Sequence, residues 1–270
     1  MAAILALDEL LVFLRQTIQA GESICPGLRY DFYARRDRYS VLLYYAILDH
    51  ARSIAALADA QTYCAIPIVT RSALDAYADI ANLADHIRYW EHLEEADGSK
   101  WKPLLERASR GGNPALKGLA ESDLLPQGRR QFSKDLKELR AKGVSTLGAE
   151  ERFQRAGLNN EYESMYSLLS AEVHNNISTL QSRYIDWNEE RAWVTEQGKS
   201  SEHGHHYERP CVLTMSEIVI KSAEKLLRLF GHGTAMLSQV NQELARIWKL
   251  AEAEDAAIVG ITAGISAGFS

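Results

Sequence analysis

Residues 161–181, EYESMYSLLSAEVHNNISTLQ, constrain the fold of this chain more than any other stretch. At about 100° per residue, Tyr162, Met165, Tyr166, Leu168, Leu169, Val173, Ile177 and Leu180 fall on one broad apolar arc, which predicts a long helix with one buried face. Glu172 and Asn176 lie inside that arc, four residues apart and therefore neighbours. Ser170 and His174, also four apart, sit at its edge and beyond. A carboxylate and an amide among core-facing residues need hydrogen-bonding partners. Two readings stay open: a structural polar network between helices, or a site in a cleft where another helix supplies a cation.

Helical periodicity recurs on both sides. It predicts helices over Ala2–Ala20, ending at Gly21, and from about Arg35 to Ala60, the latter opened by the basic cluster Arg35, Arg36 and Arg38. A third helix is expected from Ile66-Pro67 to about Glu95, with Pro67 in the first turn. One side of it carries Arg71, Asp75, Asp79, Asn82 and His86. That stripe reads either as an exposed ion-pair ladder or as the polar lining of an interhelical cleft.

Glycine and proline then break the pattern over 97–160, an irregular insert whose clearest helical piece is Arg129–Lys142, rich in Arg and Lys. Arg183–Val194 and Arg209–Leu213, rich in β-branched and aromatic residues, predict a small β-hairpin-like excursion over 183–213. Thr214 with Glu217 forms a capping-box pattern for a last long helix, and helical pattern resumes from Ala235 to about Glu254. The fold class is mainly α: a multi-helix bundle in one domain over 1–254, followed by a small-residue tail, 255–270, with Gly260, Gly264 and Gly268 at steps of four.

Composition narrows the function classes. A net charge of −6 argues against a broad, charge-driven grip on nucleic acid, while leaving room for a local basic cleft. Cys25, Cys64 and Cys211 match no zinc spacing and read as reduced thiols in a cytoplasmic protein. No stretch is read as the roughly 20-residue apolar run that spans a bilayer, so no membrane partner is expected. Glu202, His203, His205 and His206 are metal-competent but lie in a Gly-containing loop of no standard spacing, so no metal is expected. Without a GxGxxG, Walker or GxSxG motif, no cofactor is expected either.

The segment Pro67–Asp75, PIVTRSALD, followed by Tyr166-x-x-x-Ser170-x-x-x-His174, resembles an uncharacterised bacterial family of all-helical proteins, a domain of unknown function with an Arg-Ser-x-x-acid helix and a Ser-x-x-x-His helix. Asp75 stands where that family more often has Glu. More distantly the arrangement is similar to the HEPN superfamily of helical bundles, many of them metal-independent ribonucleases in toxin–antitoxin and phage-defence systems. HEPN proteins carry an Arg four to six residues before the His; here Leu169 and Ser170 hold nearby positions, and Arg71 would have to serve from another helix.

The candidate catalytic set is His174, Arg71 and Glu172, with Asp75, Asp79, Ser170, Asn176 and Tyr166 lining the cleft, and the HEPN resemblance implies a homodimer. The expected geometry sets Arg71, Asp75 and Asp79 opposite Glu172, His174 and Asn176. Three function classes stay open: an RNA-cleaving effector, a non-catalytic module binding a small ligand or nucleotide in the same cleft, and an interaction protein that engages a partner through the insert or the C-terminal tail.

Overall fold

The computed structural model describes residues 6–122, 125–174, 176–187, 192–194 and 208–267. Four long helices make the core: α1 (Leu7–Ile24), α2 (Arg35–Asp59), α3 (Ile66–Asp85) and, much later in the chain, α11 (Glu208–Leu229). Leu14, Tyr44, Ile47, Leu48, Ile54, Leu74, Ile80 and Val219 are buried in the space between them. By length and composition α2 passes for a membrane span, with a mean hydropathy of 1.3 over its most apolar window. Its buried residues instead face α1, α3 and α11, as those of a core helix do.

Gly21 does not end α1. A Cβ there would stand 2.7 Å from the Tyr44 hydroxyl and 3.0 Å from both Leu48 and Val219, so glycine is what allows three helices to meet. The Tyr44 hydroxyl donates to the Gly21 carbonyl at 3.0 Å and closes that crossing. The Arg35–Arg38 cluster also has structural work. Arg36 donates through Nε and Nη2 to the carbonyls of Leu83 and Ala84 at 2.6 and 2.5 Å, capping the negative end of α3. Arg35 pairs with Glu94 at 3.1 Å and lies over the Trp90 ring.

The expected third helix divides. α3 ends at Asp85 and α4 (Trp90–Arg110) follows after a turn. Gly98 is inside α4, where it brings the helix against Leu136 of α6 (Leu125–Ala141), so it is a packing glycine and not a breaker. Gly111 and Gly112, at φ of +69° and +84°, end α4 and lead to the single-turn α5 (Lys117–Ala120). Two short helices, α7 (Ala149–Arg155) and α8 (Asn159–Glu161), then lead back to the bundle.

The stretch expected as one long helix is broken twice. A π-helical segment at Tyr162–Tyr166 precedes α9 (Ser167–Val173), and α10 (Ile177–Tyr184) begins only after a second interruption. The apolar arc is broken with it: Tyr166 and Leu169 are buried, while Leu168 and Ile177 are exposed.

The expected β-excursion over 183–213 is also corrected. α10 runs through Tyr184, and Arg209–Leu213 are helical within α11, which begins six residues before the Thr214 capping-box pattern. Among the described residues, extended pairing is confined to β1 (Ile185–Trp187) and β2 (Ala192–Val194), antiparallel, with Ile185 opposite Val194. The His-rich loop at 202–206 lies outside the described residues. The chain closes with α12 (Ser238–Ala267), which packs on α1 and α11 and continues from the helix expected over 235–254 into the tail. The last three residues, Gly268 among them, lie outside the described ones.

Candidate functional site

α3 presents its polar stripe to the seam it forms with α7, the π-segment and α9, so Arg71, Asp75, Asp79, Asn82 and His86 line an interhelical surface. The guanidinium at its centre is Arg152 of α7, a residue the sequence reading did not single out. Its Nη1 donates to both carboxylate oxygens of Asp79 at 3.2 Å, and its Nη2 donates to Asp75. Asp79 also accepts from the Tyr89 hydroxyl at 2.7 Å. Asn82 donates to the Arg152 carbonyl at 2.8 Å, and His86 Nε2 lies 3.3 Å from the Arg155 carbonyl. This half of the seam ties α3 to α7 and to the start of α4.

The electrostatics follow from burial. Only 12% of the Asp79 side chain is exposed, and burial raises its pKa against the opposing pull of Arg152 and the Tyr89 hydroxyl. Burial would lower the Arg152 pKa, but Asp79 and Asp75 outweigh it and hold the cation charged. Burial and then Asp79 push the Tyr89 hydroxyl up, so it remains a donor.

Arg71 holds the other half. Its Nε donates to Ser170 Oγ at 3.0 Å, its Nη2 donates to the Tyr166 hydroxyl at 2.8 Å, and its guanidinium carbon lies 4.7 Å from the centre of the Tyr166 ring. Nη1 is 3.6 Å from Asp75 Oδ2, an ion pair beyond hydrogen-bonding distance. A guanidinium has five N–H groups; among the described residues Arg71 commits two of them to hydrogen bonds, and 20% of its side chain reaches solvent. Burial, with Asp75 next, raises the Tyr166 pKa, so its hydroxyl stays protonated beside the cation. Ser170 is fixed in turn by donating to the Tyr166 carbonyl at 2.8 Å.

The expected opposition of Arg71, Asp75 and Asp79 to Glu172, His174 and Asn176 is therefore corrected. Tyr166 and Ser170 contact Arg71 of α3. Glu172 is buried, and its charge reaches the Cys211 thiol of α11, whose pKa burial, Glu208 and Glu172 push up to about 12 against a hydrogen bond with Thr70. Asn176 is exposed and caps α10, its Oδ1 accepting from the Ser178 backbone at 3.1 Å. His174 is exposed at the end of α9, its backbone N–H bonded to the Ser170 carbonyl at 3.2 Å. It stands one helical turn beyond Ser170, at the solvent edge of the Arg71 half. The signal for Arg152 was slight, an Arg in the short sequence AEERFQR with no long apolar period around it.

Among the described residues no group of three or more His, Cys, Asp or Glu side chains could hold a metal ion. The three cysteines form no disulfide among the described residues; Cys211 is buried and Cys64 exposed.

Residues 37–192 match the model of the family of unknown function DUF5677, and the chain belongs to that family. The matched segment runs from α2 to β1 and β2 and contains the whole Arg71–Arg152 seam; α1, α11 and α12 lie outside it. No curated protein and no solved structure matches the chain.

Proposed function

We propose that this member of the DUF5677 family recognises a phosphate-bearing ligand, a nucleotide or RNA, at the solvent edge of the seam, with Arg71 as the docking cation. The observation that carries the reading is the contrast between the two arginines. Arg152 spends its charge on two carboxylates. Arg71 is held by two hydroxyls and an aromatic face, which fix its direction, with a single carboxylate at 3.6 Å and 20% of its side chain exposed. A fixed, partly desolvated guanidinium with free donors suits the bidentate geometry of a phosphate.

Titration calorimetry with nucleoside monophosphates, cyclic nucleotides and short RNA tests this against Arg71→Gln. A ligand bound by the wild type and lost at least tenfold in the variant supports the reading; equal affinity in both removes it.

His174 favours a second reading, in which the same edge cleaves RNA without a metal. At one-turn spacing its Cβ lies about 6 Å from that of Ser170, and a neutral imidazole has a ring nitrogen that can accept a proton. His174 would take the proton of a ribose 2′-hydroxyl as that oxygen attacks phosphorus, the P–O5′ bond would break with the 5′-oxygen protonated by water, and Arg71 would offset the added charge. Digestion of total RNA in EDTA, with His174→Ala beside the wild type, separates cleavage from binding.

A further inference from the structure

Residues 100–142 carry eleven Lys and Arg against five Asp and Glu, a net of +6, in a chain whose whole charge is −6. The rest of the protein therefore carries −12. This positive segment is one structural unit, an arm made of most of α4 with α5 and α6. Leu105 and Ala108 pack with Leu116, Leu119 and Phe132 in a small apolar cluster of their own. The base of the arm is locked to the body: Glu95 accepts from Arg140 at 3.0 Å, from Ser99 at 2.9 Å and from Thr146, while His92 Nδ1 lies 2.8 Å from the Ser145 carbonyl.

The cations differ along the arm. At the base Arg140 and Lys142 are paired with the buried Glu95 and Glu91, and further out Lys117 and Lys134 pair with Glu121 and Glu138. Lys102, Arg129 and Arg130 make no ion pair or side-chain hydrogen bond among the described residues. These three, with Glu106, Pro126 and Ser133, line a polar groove of about 440 Å³ between α4 and α6. Trp101, adjacent in sequence to Lys102, is 41% exposed.

We propose that this arm is a docking surface for the phosphate backbone of a single-stranded nucleic acid, with Lys102, Arg129 and Arg130 meeting phosphates and Trp101 stacking on a base. Unpaired cations lining a groove, with an exposed aromatic residue next to one of them along the same helix, are the ingredients of single-strand binding. The acidic remainder of the chain confines a polyanion to the arm. The arm rests on observations separate from the Arg71 site.

The test is fluorescence anisotropy of a labelled, uncleavable 2′-O-methyl 15-mer with the full chain, between 50 and 200 mM salt. Three phosphate contacts on a single strand weaken affinity about 18-fold over that range; Arg129→Gln/Arg130→Gln leaves one contact and about a threefold loss. The double variant and Trp101→Ala each bind at least fivefold more weakly at 50 mM salt, whereas Arg71→Gln keeps the salt dependence and so distinguishes failure of the arm from failure of the seam. Lys249→Gln, an exposed change on α12, leaves affinity unaltered. An oligonucleotide that does not bind, affinity indifferent to the double variant, or tighter binding of a duplex overturns the proposal. Displacement by polyglutamate at equal charge concentration also overturns it, in favour of an acidic protein partner.

Discussion

Arg152→Met tests the architecture beneath the site. The substitution keeps an unbranched apolar stem but removes the charge that Asp75 and Asp79 share. Breaking a buried pair by deleting one partner costs about 3–5 kcal/mol. The Arg152 side chain is 21% exposed and that of Asp75 26%, so solvent screens part of the penalty and about 2–4 kcal/mol is expected. For a chain of this size that lowers Tm by roughly 5–12 °C. Neutralising the orphaned carboxylates restores much of the loss, so Arg152→Met/Asp75→Asn/Asp79→Asn is more stable than the single variant, with a coupling of at least about 1.5 kcal/mol. The pH dependence has a definite sign. Asp79 already has a raised pKa, and losing Arg152 raises it further, so the penalty shrinks as pH falls through the Asp79 value. Urea unfolding at pH 5 and pH 7.5 reads all three effects. A loss below about 1 kcal/mol, or strictly additive variants, would refute the claim that Arg152 holds the seam.

Other perturbations follow from the same contacts. Gly21→Ala places a Cβ 2.7 Å from the Tyr44 hydroxyl, so despite the better helix propensity of alanine it destabilises by about 1–3 kcal/mol in thermal unfolding. Ser170→Ala and Tyr166→Phe free the Arg71 side chain and weaken phosphate-ligand binding severalfold in calorimetry, with little change in Tm. Burial alone would raise the pKa of Glu91 and Glu95, but Arg88 and Lys142 hold Glu91 low, and hydrogen bonds from Thr146, Arg140 and Ser99 hold Glu95 low. Their contribution is therefore complete above the unfolded value near pH 4.3 and is lost as pH falls through the lower folded values. Hydrogen exchange in α6 accordingly accelerates below about pH 4, before the core helices open.

The helical class was legible because apolar residues recur at three- and four-residue steps in α1, α2 and α3; α3 goes further and buries every residue from Ala76 to Leu83. Arg71 and Ser170 were legible as polar residues at the edges of apolar helices, whereas the hydrogen bond from Arg71 to Tyr166, a residue projected onto the apolar arc, was not. The burial of Glu172 was legible as well, since at 100° per residue it falls inside the apolar arc and well away from Ser170. The breaks were not: the π-helical turn over Tyr162–Tyr166 and the interruption before α10 leave no mark in the apolar pattern. Arg209–Leu213 misled for a different reason: Cys211, Val212 and Leu213 are buried within a core helix, and burial overrides β propensity there. Gly21 and Gly98 look like helix ends in sequence, and only tertiary neighbours reveal them as contact points. Arg152 stood on a seven-residue helix, too short to have a period.

The central claim is that Arg71 is the available cation of the seam and Arg152 the committed one. The most direct measurement follows the side-chain Nε–H resonances of both arginines, assigned through Arg71→Gln and Arg152→Met, as a nucleoside monophosphate is titrated into the wild type. The account predicts a saturable shift of the Arg71 resonance while Arg152 stays in place. A ligand that binds without moving Arg71, or moves Arg152 as far, would contradict it.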